Sequence, residues 1–383
     1  MKTLIKYLTI IILNLSLIYQ NALPSDNIKI GLIVPLSGEY SKIGDSIIKS
    51  VRLAINKIDD ERIIIIPKDT KSNPIDALRV SKKLYDDGVR IVIGPVFNEN
   101  TKYLDELKDI TFLSFTNKII KNPTNVISAG VNAISQINTI KKFININNIE
   151  RSIFLIPRTD YKKEIELAIN KTNIKLKDKF VYDKDPMLLT KQIEKLTWYS
   201  LRKQNLKDEI ERLENSSISD KEKKIENLKK KDTLGGINFD SVIIADFDES
   251  LKSVATSLLY TDVSSKRITY ITLNQWFDKS LLKETSLQPL YFPSINKENY
   301  NEFIDDYLNH YNSNPNQLSF LSYDLIGLIY FLLYENNFKV SKNIFYKKNK
   351  FKGKIGIFEI NKNIITHQLN FYNVENNKFR KIF

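Results

Sequence analysis

The 383-residue sequence contains no cysteine. That excludes disulfides, thiolate metal sites, cysteine nucleophiles and lipid attachment through an N-terminal cysteine. Histidine is almost as scarce: His310 and His367 are the two, and neither stands in an H-x-x-x-H spacing. A histidine-based zinc site or triad therefore has no support. No catalytic residue, metal site or cofactor is assigned, and the chain reads as a non-enzyme. Nor does any nucleic-acid recognition motif accompany the positive charge, which argues against a nucleic-acid partner.

What is present is apolar content and lysine. Hydrophobic residues make up 42% of the chain, enough for a large core, and at about 150 residues per domain the length fits two compact units. The formal net charge is +13. Between Phe338 and Phe383 there are eleven Lys/Arg against two Glu, with the densest run at YKKNKFKGK, Tyr346 to Lys354. This end could face an acidic partner or an anionic membrane, or simply follow a composition that places Lys and Asn wherever the surface permits. At the start, Lys2 and Lys6 precede an apolar run from Tyr7 to Ile18 and then small and turn-forming residues. That layout predicts a secretory signal over residues 1–25, cleaved near Ala22 or Ser25 or kept as an anchor, and export to a periplasm-like compartment.

After the signal, strand and helix patterns alternate. Ile28 to Val34, Ile63 to Ile66, Val89 to Pro95 and Ile110 to Phe115 read as strands. Between them lie helical spacings at Ile47 to Ile58 and Ala77 to Tyr85 and a polar helix around Thr101 to Lys108. A second series runs from Arg151 to Pro157 through a helix at Lys162 to Lys171, then resumes at Phe239 to Ala245 and Ile268 to Leu273. The expected fold class is α/β, as two doubly wound lobes of mostly parallel sheet. One segment breaks the alternation: residues 195–235 carry a narrow apolar stripe of Leu206, Ile210, Leu213, Ile225 and Leu228 around the turn NSSISD. A helical hairpin insertion is expected there, with Ser219 and Glu222 at capping-box spacing and a stop at Gly235-Gly236.

Open α/β sheets gather ligands at the carboxyl ends of their strands, where backbone N–H groups and hydroxyls lie unpaired. Three strand ends of the first lobe carry such groups: Ser37, then Asn98 with Glu99, then Ser114, Thr116 and Asn117. They would converge on one edge, although each could also serve only as a helix cap.

The stretches PLSGEYSKIG, DTKSNPIDALRVSKKLYDDGVRIVIGPVFNENT and SYDLIGLIYFLL resemble the leucine-binding type of periplasmic binding protein, the type I two-lobed fold. The similarity covers about residues 28 to 380. Within it, FLSFTNK, the segment Lys230 to Asp278, and FKGKIGIFEINKNIITHQLNFYNV resemble the penicillin-binding protein activators, a group implied to act on cell-wall synthesis. The resemblance implies a hinge with three crossings. It places lobe 1 at 28–138 and 297–351, lobe 2 at 139–296 and 352–383, and the hairpin in lobe 2. It also implies a small polar ligand in the cleft, with Tyr161 and Phe247 as aromatic walls. The residue that would pair a ligand ammonium falls on Asn274 or Gln275, which are neutral, so Glu99 or Asp246 would have to substitute. Two roles follow: a regulator that contacts a peptidoglycan synthase, or the receptor of an amino-acid ABC permease of the branched-chain type.

Overall fold

The structure, a computed structural model, describes residues 27–361 and 364–383. The signal segment expected at 1–25 lies outside them. Strand β1 (Ile28–Val34) opens the first lobe, followed by α1 (Ser41–Ile58), β2 (Ile63–Asp69), α2 (Pro74–Asp86), β3 (Ile91–Ile93), β4 (Thr111–Ser114) and β5 (Val126–Ser128). β1 is buried along nearly all its length because it pairs in parallel with β2 on one side and β3 on the other. α2 starts where it does because Asn73 accepts the Asp76 N–H and Pro74 occupies the first turn. The polar helix expected at Thr101 to Lys108 is instead two short 3-10 turns, Asn98–Thr101 and Leu104–Leu107, whose Leu104 and Leu107 sit in the core.

The chain then enters the second lobe with α3 (Ala133–Ile146), β6 (Ser152–Pro157), α4 (Lys162–Thr172), β7 (Asp178–Tyr182), α5 (Pro186–Leu196), α6 (Tyr199–Glu214), α7 (Lys221–Lys229), β8 (Ser241–Ile244), α8 (Asp248–Tyr260), β9 (Thr269–Thr272) and β10 (Leu290–Ser294). It returns through α9 (Lys297–Tyr311), α10 (Gln317–Glu335), β11 (Asn349–Lys352), β12 (Ile357–Asn361) and β13 (Ile364–Gln368), and ends in lobe 2 with β14 (Asn370–Glu375) and β15 (Lys378–Lys381). The sheets read β11-β12-β13-β5-β4-β3-β1-β2 and β15-β14-β10-β9-β8-β6-β7. Both are doubly wound α/β layers with antiparallel additions at one edge. By composition α10 is apolar enough to cross a membrane, yet it is mostly buried as the core helix of lobe 1, around Leu325, Ile329 and Leu333.

Two lobe boundaries differ from expectation. α3 packs its Ile137, Ile140 and Phe143 into the lobe 2 core with Phe154 and Ile243, so the first crossing lies at Ala129–Asn132 and not near 138. β12 and β13 belong to the lobe 1 sheet, because β13 pairs with β5, so the last crossing lies at Leu369 and not at 352. The crossings are tied together. Asn132 Nδ2 donates to Ile365 O at 2.8 Å, and His367 N donates to Ser135 Oγ at 2.8 Å. His367, buried, holds Ala129 O at 2.9 Å through Nε2, and burial pushes its pKa down to about 4, so it is neutral.

The sequence reading passed over β7 and α5. β7 is an edge strand with only Tyr182 fully buried, and α5 buries just Leu189 and Ile193, so neither shows a clear period. The hairpin is present as α6 and α7. The Ser219 and Glu222 box is not: α7 follows Asp220 without a side-chain cap and ends at Lys229, well before Gly235.

Candidate functional site

A cavity of about 1070 Å³ separates the lobes. Lobe 1 contributes the loop after β3 (Phe97 to Asn100), the loop after β4 (Phe115 to Lys118) and Tyr40, whose ring meets Phe97 edge-on at 4.8 Å. Lobe 2 contributes Tyr161 at the start of α4, Phe247 and Asp248 at the start of α8, and the loop Asn274 to Asp278 after β9. Gly130, Val131, Gln136 and Ile355 form its hinge side. The β3 loop can approach closely because Gly94, at φ +109°, lies against Ile33 O where a Cβ would collide at 2.2 Å.

Eight of the ten residues expected at the site line this cavity: Asn98, Glu99, Thr116, Asn117, Tyr161, Phe247, Asn274 and Gln275. Ser37 and Ser114 do not. Ser37 Oγ donates to Asp69 Oδ2 at 2.6 Å while Leu36 N and Lys71 N donate to Oδ1, so the hydroxyl ties the end of β1 to the end of β2. Burial raises the Asp69 pKa, but these bonds outweigh it and leave the net shift downward. Ser114 is fully buried, and its Oγ donates to Pro95 O at 2.8 Å, joining the ends of β3 and β4.

The lobe 2 wall spends its polar groups on itself. Asn274 Oδ1 accepts from Trp276 N at 2.9 Å and Ser294 Oγ at 2.8 Å, and Asn274 N donates to Gln136 Oε1 at 2.9 Å. Gln275 Nε2 donates to Thr272 Oγ1 at 3.2 Å and to Asp246 O and Leu273 O, both at 3.3 Å. These bonds hold a loop in which Trp276 and Phe277 both adopt left-handed backbone, φ 49° and 58°, a costly geometry for bulky residues. Asp246, the other substitute considered for an ammonium partner, does not line the cavity. Its carboxylate takes Tyr182 Oη and Lys184 Nζ, each at 2.8 Å. Asp278 is occupied by Ser280 N and Oγ. Glu99 and Asp248, both exposed, are the remaining carboxylates of the lining. Burial, with Glu164 nearby, holds the Tyr161 phenol far above its usual pKa, so it presents a neutral hydroxyl and a ring.

The cavity can therefore stack planar or apolar groups on Tyr40, Phe97, Tyr161, Phe247 and Trp276, and offers amides and hydroxyls from lobe 1. It offers no buried carboxylate to a cation. Sequence reasoning missed Tyr40, Gln136 and Trp276. Trp276 stood beside Asn274 and Gln275 in the same loop, and Tyr40 directly after the Ser37 turn. Gln136 had no local signal, since it reaches the loop only through a hinge helix.

Residues 27–165 match the family of periplasmic binding proteins. The two-lobed fold is that of the type I periplasmic binding proteins. The Leu/Ile/Val-binding protein BraC3 of Rhizobium johnstonii is 30% identical over 76 residues, 18% of this chain and 21% of that protein. The aligned stretch thus spans about a fifth of that relative's length. Among solved structures, a branched chain amino acid ABC transporter periplasmic ligand-binding protein of Burkholderia xenovorans superposes with TM-score 0.64 at 10% identity, covering 93% of this chain and 94% of that one. A substrate-binding protein of Desulfitobacterium hafniense complexed with Leu gives 0.61 at 12%, covering 93% and 99%. The C-domain of LpoA from Haemophilus influenzae, a regulator of PBP1A, gives 0.62 at 13%, covering 93% and 100%. At such identities these likenesses establish the fold alone.

Proposed function

We propose that this chain is an exported, non-enzymatic binding protein of the periplasm that regulates peptidoglycan synthesis by contact with a synthase. The observation that carries the reading is the arm formed by α6 and α7. α6 is rooted in lobe 2: Arg202, buried, donates to Thr197 O at 2.9 Å, to Thr233 Oγ1 at 3.1 Å and to Thr261 O. Beyond that root the arm adds nothing to the lobe cores: α7 buries no residue, and Leu213 of α6, the one buried side chain further out, joins none of the core clusters. A firmly rooted helix pair with open flanks suits a partner protein. The likeness to the LpoA C-domain, along the whole of that domain, agrees with this reading. So does the internal commitment of Asn274 and Gln275, which leaves an amino-acid ammonium without a buried partner.

A solute receptor serving an ABC permease is the second reading, favoured by the size and lining of the cleft. Its ligand would lack a free ammonium. A pull-down from membrane extract separates the two, using wild type, a variant with residues 208–230 replaced by a short Gly/Ser linker, and Lys347/Lys348/Lys350→Glu. The linker variant keeps Arg202 and Leu206 and loses Leu213 together with the arm it packs within, outside the core clusters, so its melting temperature should stay within a few degrees of wild type. Recovery of a peptidoglycan synthase that the linker variant loses supports the proposal. Recovery of an ABC permease in its place would overturn it.

A further inference from the structure

A second cavity, of about 510 Å³, lies on the hinge and shares no lining residue with the cleft. It falls within the roughly 300–1,000 Å³ range of small-molecule sites. All three returns of the chain through the hinge region meet there: α3 supplies Asn138, Thr139 and Lys142, the start of α9 supplies Asn296 and Asn299, and the β13–β14 junction supplies Thr366 to Asn370. On α3, Asn138 and Lys142 project from the side of the helix away from Gln136, which faces the cleft, since two and six residues correspond to about 200° and 240° of turn. The cavity is therefore behind the hinge.

Its chemistry differs from that of the cleft. The rear cavity has one phenyl ring, Phe383, beside the buried, neutral imidazole of His367, and two lysines from opposite lobes, Lys142 of α3 and Lys352 of β11. Lys142 Nζ stands 4.1 Å from the centre of the Phe383 ring, and neither lysine pairs with a carboxylate among the described residues. The one acid in the lining, Glu359, is neutralised by Lys350 at 2.7 Å and also accepts from Gln368 Nε2 at 2.7 Å. What remains is a pair of cations set among amides and hydroxyls.

We infer that this rear cavity is an effector site for a small hydroxylated carboxylate, of the size and polarity of a sugar acid, held between Lys142 of lobe 2 and Lys352 of lobe 1. Rotation that narrows the front cleft widens the space behind the hinge axis. An anion bridging the two lysines resists that widening and favours the open cleft. By reciprocity, a ligand that closes the cleft weakens the rear site. The inference rests on the hinge and holds whichever reading of the cleft is correct.

The test is calorimetry with D-glucuronate as probe and glucose as the uncharged control, on wild type, Lys142→Gln and Lys352→Gln. Wild type should bind glucuronate at millimolar concentration and glucose far more weakly, and each substitution should weaken glucuronate about tenfold, the effect of losing one charge-assisted contact. In a Trp198→Phe background, Trp276 is the one tryptophan left, and its fluorescence should change with glucuronate because it lines the cleft that the rear ligand holds open. Failure of wild type to bind glucuronate, or equal binding of glucose, overturns the inference. Binding that survives both substitutions would put the acid elsewhere and overturns it as well.

Discussion

The two walls of the cleft are built from the same kind of strand-end loop, yet they use polar residues in opposite ways. On lobe 1, Asn98 is half-buried and Glu99 and Asn117 are exposed to the cavity. On lobe 2, Asn274 and Gln275 are buried and hydrogen-bonded within their own wall or to Gln136. The buried acids repeat the contrast. Asp246 of lobe 2 has a lysine and a tyrosine for partners. Asp324 of lobe 1, just behind the lining residue Ile355, has two backbone donors, Lys354 N at 2.8 Å and Ile355 N at 2.6 Å. Burial outweighs those donors and pushes its pKa up to about 7. Lobe 2 is thus the stiff, preorganised wall. Lobe 1 holds the groups free to meet a ligand and the buried acid most sensitive to pH.

The largest expected effect probes that acid. Asp324 titrates near 3.8 when unfolded and near 7 when folded, so the native state binds more protons between those values and stability falls as pH rises through that window. The loss reaches up to roughly 4 kcal/mol above pH 7. Denaturant unfolding at pH 4 and pH 8, which bracket nearly the whole window, should show it, and Asp324→Asn should flatten the difference; an unchanged slope would remove Asp324 from the account. Next, Asp246→Ala should cost about 3 kcal/mol by leaving Tyr182 and Lys184 without their acceptor. Asn274→Ala should cost about 2 kcal/mol, because Trp276 N and Ser294 Oγ lose their acceptor and the left-handed loop is released. Near-ultraviolet dichroism of Trp276 should change with it. Smallest of all, Asn98→Ala and Asn117→Ala should each shift stability by no more than about 0.5 kcal/mol. If either matched Asn274→Ala, the contrast between the walls would fail.

Periodicity and punctuation in the sequence carried the doubly wound lobes, the hairpin and the strand-end loops. Buried parallel strands such as β1 must be apolar along nearly all their length, and helices such as α2 show themselves by apolar residues at helical spacing, Ala77, Val80 and Leu84. β7 and α5 were illegible for the same reason: an edge strand and a half-exposed helix bury too little to impose a period. Loop composition placed Asn98, Glu99, Thr116 and Asn117 at the cleft, since strand order alone brings those loops to one edge, whereas Tyr161, Phe247, Asn274 and Gln275 were placed there by the family resemblance. What composition could not say is which way each side chain turns. Ser37 and Ser114 were as plausible as Thr116 until Asp69 and Pro95 O, from neighbouring strand ends, claimed their hydroxyls. Asn274 looked free until Ser294 and Gln136 were found against it. Lobe membership of β12 and β13 likewise depended on a partner more than 200 residues away, β5. A hydrogen bond is short-ranged in space and indifferent to separation along the chain, so sequence fixes which groups need partners, and only the packed tertiary structure decides which partners they get.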